Sequence, residues 1–108
     1  MSTDASIQPP ADLEELRSAV SVIGAELRDR YGISRLAIFG SWVRGEQRAD
    51  SDVDLLVAFH RTPSLLTFVR LQNEISDRLG LPVDLVLART LHPRLAPRVL
   101  QEAVDCAA

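Results

Sequence analysis

Gly40-Ser41-Trp42-Val43-Arg44-Gly45-Glu46-Gln47-Arg48-Ala49-Asp50-Ser51-Asp52-Val53-Asp54 lies between two apolar runs. It holds a Gly-Ser pair, ten intervening residues and an Asp-x-Asp pair. Before it, Ile33-Ser-Arg-Leu-Ala-Ile-Phe39 is short, apolar and bounded by Gly32 and Gly40. That pattern predicts a buried strand. After it, Val53-Asp-Leu-Leu-Val-Ala-Phe59 predicts a second. Residues i and i+2 of a strand share a face, so Asp52 and Asp54 project side by side. Like charges held that close raise each other's pKa unless a cation lies between them. Mg²⁺ suits the position, because it takes oxygen ligands, usually one or two carboxylates plus substrate phosphates. A solvated Asp-Ser-Asp turn at the start of a strand is the plainer reading, and the dyad alone does not exclude it.

Leu81-Pro82-Val83-Asp84-Leu85-Val86-Leu87 predicts a third strand with one acid among apolar neighbours. A charged Asp inside such a run is costly unless paired, hydrogen-bonded or metal-bound. If this strand lies beside Val53–Phe59, Asp84 completes a three-carboxylate cluster able to hold two metals about 4 Å apart. Alone, Asp84 also reads as a strand-end residue facing water.

Gly40, directly after a strand, permits backbone conformations closed to other residues and lets a ligand approach closely. Ser41 opens a short helical turn reaching Gly45, whose unpaired N–H groups favour an anion. Arg44, three residues on, shares roughly the same face and can reach a phosphate oxygen. For this pair alone, a capping serine and a solvated arginine is the more ordinary reading, and it is the spacing to the Asp-x-Asp pair that decides against it.

Other phosphate motifs fail. All twelve basic residues are arginine, which removes a P-loop lysine and Schiff-base chemistry. Asp50-x-Asp52-x-Asp54 superficially suits a calcium loop. Leu55 stands where that loop needs glycine and Arg61 where it needs glutamate, so an EF-hand is rejected.

Gly40-Ser41, the ten-residue gap, Asp52-Val53-Asp54 and Val83-Asp84-Leu85 together resemble the signature of the DNA polymerase β-like nucleotidyltransferase superfamily. Within it, the chain is similar to the minimal nucleotidyltransferases, the MNT proteins that act as antitoxins paired with HEPN toxins. The motifs span about Tyr31 to Leu87, and Leu95 to Val104 is similar to the family's closing helix. The resemblance implies nucleotide binding at Gly40, Ser41 and Arg44, and metal binding by Asp52, Asp54 and Asp84, which are also the catalytic residues. It implies ATP as donor, two Mg²⁺ ions with Mn²⁺ as a substitute, and AMP as the transferred group. The implied acceptor is a hydroxyl of a HEPN-type toxin, most simply a tyrosine. It leaves room for a homodimer. A contact-only antitoxin that binds its partner without turnover remains open beside the enzyme reading. A stand-alone transferase acting on small alcohols fits less well, since only about twenty residues follow the third strand and no acceptor domain is expected.

Length and composition agree with one domain. The 108 residues are 46% hydrophobic and 25% charged, ordinary for a globular chain. A net charge of −3 offers no basic field for nucleic acid, so direct nucleic-acid binding is not expected. The single cysteine, Cys106, suits a reducing cytosol, and the expected location is cytoplasmic. No apolar stretch approaches the roughly 20 residues that span a bilayer, so no membrane association is expected. Residues 1–8 read as a flexible start, and 9–108 as a single nucleotidyltransferase domain.

Helices should frame the strands. Leu13, Leu16, Val20, Ile23, Leu27 and Tyr31 recur three or four apart, with Gly32 as the stop. Ser64 caps a second helix with apolar Leu65, Phe68, Val69, Ile75 and Leu79, closed by Gly80. A last helix runs from about Pro93 to Val104, interrupted or offset by Pro97. The expected fold is α+β: a small mixed sheet with helices mainly on one face and the carboxylates on the other. His60 and His92 read as exposed loop residues. Trp42 reads as packing, a partner contact or a base-stacking group, Arg48 either as a triphosphate contact or as one residue of a simply charged loop, and Asp50 as a turn former.

Overall fold

Helix α1 (Leu13–Tyr31) starts at a reciprocal cap. The Asp12 carboxylate accepts from the Glu15 N–H at 2.9 Å, and Glu15 Oε1 accepts from the Ala11 N–H at 2.9 Å. The first bond occupies an amide that a helix start leaves unpaired, and the second ties the residue before the cap to the first turn. In the computed structural model, which describes residues 9–48 and 51–106, the apolar stripe of this helix behaves as its spacing predicts. Leu16, Val20, Ile23 and Leu27 are buried, with Leu13 and Tyr31 partly so. The segment 1–8, read as a flexible start, and the turn residue Asp50 lie outside the described residues.

Four strands follow: β1 (Ile33–Phe39), β2 (Val53–Phe59), β3 (Val83–Leu87) and β4 (Val104–Asp105). They form one mixed sheet in the order β3-β2-β1-β4. β2 runs antiparallel to β1 and parallel to β3, and β4 is antiparallel to β1. Parallel β2 and β3 need a crossover, which helix α3 (Leu65–Leu79) supplies. Ser64 caps it by accepting from the Thr67 N–H, as expected. Its buried side differs from the expected set. Leu71, Ile75 and Leu79 are buried, while Leu65 and Val69 are 78% and 40% exposed. Leu65 keeps the phase of the buried stripe but lies on the first turn, and Val69 is out of phase with that stripe.

Alternation along the strands separates two faces. Val53, Leu55 and Val57 of β2 join Leu85 of β3 and Ile38 of β1 in the core with α1 and α3. Ile33 and Leu36 both enter this core despite their odd spacing, because a register irregularity lies between Ile33 and Arg35. The intervening residues Asp54 and Asp84 therefore share the opposite face.

Two short elements meet that second face: the helical turn α2 (Ser41–Arg44) and helix α4 (Ala96–Glu102). The C-terminal segment departs from its expected form. Pro97 does not interrupt the helix; it sits in its first turn, where a missing N–H costs nothing. The helix ends at Glu102, and Val104 belongs to β4, opposite Ile38 of β1. Among the described residues, no helix is long and apolar enough to cross a membrane.

Candidate active site

Gly40 ends β1 with φ +82° and ψ −151°, a region open to glycine alone. The reason is spatial as well as torsional. A Cβ at this position would lie 2.1 Å from Asp54 Oδ2, so the backbone turns directly against the carboxylate of the neighbouring strand. The α2 turn then places Ser41, half-buried, and Arg44, exposed, beside the same face.

Register brings the acids together. Asp54 is paired with Asp84 across the parallel β2–β3 ladder, and with Phe39 across the antiparallel β1–β2 ladder. Asp54 is half-buried and Asp84 exposed. Asp52 precedes β2 and is exposed, one strand step from the pair. Burial pushes the Asp54 carboxyl above the usual carboxylate range, and the charges of Asp84 and then Asp52 add to that rise. Arg44 opposes it, and Glu102 adds a further negative charge.

Glu102 was not singled out by sequence. Its Oε1 accepts from the Gly40 N–H at 2.9 Å and from Arg44 Nη1 at 3.0 Å, with Oε2 at 3.4 Å from the same nitrogen. Arg44 Nε also donates to Glu46 Oε1 at 3.0 Å. These acids hold the guanidinium firmly charged, the Glu46 hydrogen bond first among them. Sixty-two positions separate Gly40 from Glu102, and no local spacing announces the contact.

An open groove of about 560 Å³ runs over this face, lined by Gly40, Arg44, Asp54, Leu95, Val99 and Glu102, among others. It falls within the size range of small-ligand sites, ~300–1,000 Å³. Trp42 is 4% exposed and part of the core, so it packs and does not present a stacking face. Arg48, His60 and His92 are exposed.

Among the described residues, no three acidic, histidine or cysteine side chains converge closely enough to hold a metal ion, so the expected cluster of Asp52, Asp54 and Asp84 is not drawn together here; Asp52 lies before β2, outside the strand ladder that pairs Asp54 with Asp84. The donor chemistry still fits a hard divalent cation. Asp54 and Asp84 are oxygen donors paired in register, and the Asp54 carboxyl, raised first by burial and then by the charges of Asp84 and Asp52, is only partly offset by Arg44.

The sequence profile of the family described as "Polymerase beta, Nucleotidyltransferase" matches residues 22–105, a span that includes every group just described. The chain belongs to this nucleotidyltransferase family. The nucleotidyltransferase is 47% identical over 92 residues to the "Protein adenylyltransferase MntA" of Thermococcus cleftensis, covering 85% of this chain and 93% of that protein. Among solved structures, it is similar to a candidate minimal nucleotidyltransferase at TM-score 0.73 and 47% identity, covering 87% of this chain and 95% of that one. It is also similar to a chain of a toxin–antitoxin structure with AMP-PNP, at TM-score 0.69 and 26% identity, covering 82% and 71%. The fold is thus the polymerase β-like nucleotidyltransferase fold.

Proposed function

We propose that this nucleotidyltransferase moves AMP from ATP to a hydroxyl of a partner protein, a HEPN-type toxin, and so serves as its antitoxin. The observation that carries the chemistry is the in-register Asp54–Asp84 pair beside the Gly40 turn. The AMP group and the protein acceptor are supported by the 47% identity to an MntA protein adenylyltransferase. The toxin partner is supported by the likeness to a chain of a toxin–antitoxin structure with AMP-PNP.

The outer phosphates of ATP are held by the Gly40 N–H, Ser41 and Arg44, the last through charge-assisted hydrogen bonds. Asp52, Asp54 and Asp84 would hold two divalent ions, Mg²⁺ or Mn²⁺. Bound there, the ions supply charge neutralisation on the phosphates and a lowered pKa for the acceptor hydroxyl. The acceptor oxygen forms a bond to the α-phosphorus as the bond from that phosphorus to the β-bridging oxygen breaks. Pyrophosphate carries away the electron pair. Asp84, the exposed member of the strand pair, takes the hydroxyl proton and passes it to solvent. The location proposed with this function is the cytoplasm, where ATP is supplied and the single Cys106 stays reduced.

The test is incubation with ATP, Mg²⁺ and the product of the neighbouring gene, followed by intact mass spectrometry. One or more added AMP groups are expected, and none with Asp52→Asn. Tight complex formation without a mass change, with neutralisation that persists in Asp52→Asn, would establish the contact-only antitoxin instead.

A further inference from the structure

Two of the three groups of the proposed phosphate cradle, the Gly40 N–H and Arg44, are already engaged. A single carboxylate oxygen, Glu102 Oε1, takes the Gly40 N–H at 2.9 Å and the Arg44 guanidinium at 3.0 Å. An oxygen bearing negative charge, held by one backbone amide and one guanidinium, has the donor set of a phosphate oxygen. The Glu102 side chain is only 18% exposed, so it is seated in the cradle and not resting at its rim.

We infer that Glu102 is a built-in competitor for the phosphate subsite, which the nucleotide must displace. The inference rests on the proposed placement of the phosphates at Gly40 and Arg44. The Gly40 backbone offers a single N–H, and two anions packed around it repel, so the bound carboxylate and the bound phosphate exclude each other there. The element carrying Glu102 is suited to moving. α4 buries no residue completely, and it is followed by the two-residue β4 and then by Cys106, which is seated in the core. Displacement of Glu102 therefore shifts α4 and pulls on β4, while Cys106 keeps the end of the segment on the sheet. Nucleotide occupancy is thereby written into the position of α4 and β4, at the wall of the groove.

Apparent affinity is reduced by the fraction of molecules whose cradle is closed. The expected result of Glu102→Ala is tighter ATP binding, by about tenfold in calorimetric titration with Mg²⁺, equivalent to roughly 1.4 kcal/mol. Glu102→Gln should give a smaller gain, since a neutral acceptor still fits the cradle more weakly. Glu46→Gln is the control for simple charge removal. Glu46 also contacts Arg44, but its side chain is 63% exposed, and the gain should stay below about twofold. In the wild type, ATP should shift the NMR amide signals of Gly40 and of Ala103 to Asp105 together. Circular dichroism on each variant confirms that the fold persists, and Glu102→Gln carries the test if the alanine variant does not fold.

Weaker ATP binding by both Glu102 variants would overturn the inference and make Glu102 a ligand of the bound state. Equal gains from Glu46→Gln and Glu102→Ala would overturn it in favour of a general field effect. Absence of ATP binding in the wild type and all variants would overturn the phosphate placement itself, and the inference with it.

Discussion

At the scale of single residues, the site depends on how close backbone and carboxylate come. Gly40→Ala places a methyl where Asp54 Oδ2 now lies, in a backbone region that L-residues avoid. Strain of this kind costs about 1–3 kcal/mol, so thermal unfolding should move down by several degrees. ATP affinity should fall as well, because Asp54 must swing away. Asp54→Asn should act in the opposite direction on stability. Its folded pKa is raised, so the folded chain binds the proton more tightly than the unfolded chain does. Stability from this group is therefore greatest at low pH and lost as pH rises through the folded pKa. Asn mimics the protonated form. Melting curves should show the variant more stable than wild type at pH 7, with the difference shrinking towards pH 4, while AMP transfer disappears. The positions of Gly40, Ser41, Asp54 and Asp84 on one side of the sheet could be read from sequence because period-two strands and a turn set them by local rules, whereas Asp52 falls just before β2, where that periodicity does not reach. Glu102 could not be read this way, since its partners are set by where a distant helix docks on the sheet.

At the scale of elements, legibility follows the strength of the local signal. α1 and α3 each have an apolar stripe and a glycine stop, α3 also a readable Ser64 cap, and both emerged where those signals put them, with Asp12 as the α1 cap added by the structure. β4 has only two residues, and Val104 prolongs the apolar spacing of the preceding helix, so sequence alone assigns it to that helix. The structure instead pairs it with β1, and the Cys106 N–H donates to Leu36 O at 2.9 Å. The Arg35–Asp105 ion pair is largely exposed, so it adds little, and backbone pairing holds the strand. Cys106 reports on that pairing. Burial pushes its thiol up to about 11, leaving almost no thiolate at pH 8. A disulfide exchange reagent should therefore label the folded protein more than about 100-fold slower than the urea-unfolded chain. Rapid labelling of the folded protein would show that β4 is not seated on the sheet.

At the scale of the whole molecule, the layers separate stability from chemistry. One sheet face is closed by α1 and α3 and carries the core. On the other, the charges of Asp52, Asp84 and Glu102 act on Asp54 with only Arg44 opposing them, an excess of negative charge that the folded chain sustains at some expense. A ligand that neutralises this face adds stability in proportion to its binding to the folded state alone. At 100 times the dissociation constant, that amounts to about 2.7 kcal/mol. For a domain of this size, the midpoint should rise on the order of 10 °C. Mg²⁺ with ATP should produce such a rise in thermal unfolding at pH 7, and ATP with a chelator much less. The rise should diminish as acid protonates Asp54, because a protonated carboxyl no longer attracts the cation. Asp84→Asn should keep part of the thermal response, since Asp52, Asp54 and the cradle remain, yet lose AMP transfer. A full response and full transfer in Asp84→Asn would remove the third carboxylate from the site and leave the Asp52–Asp54 pair to act alone.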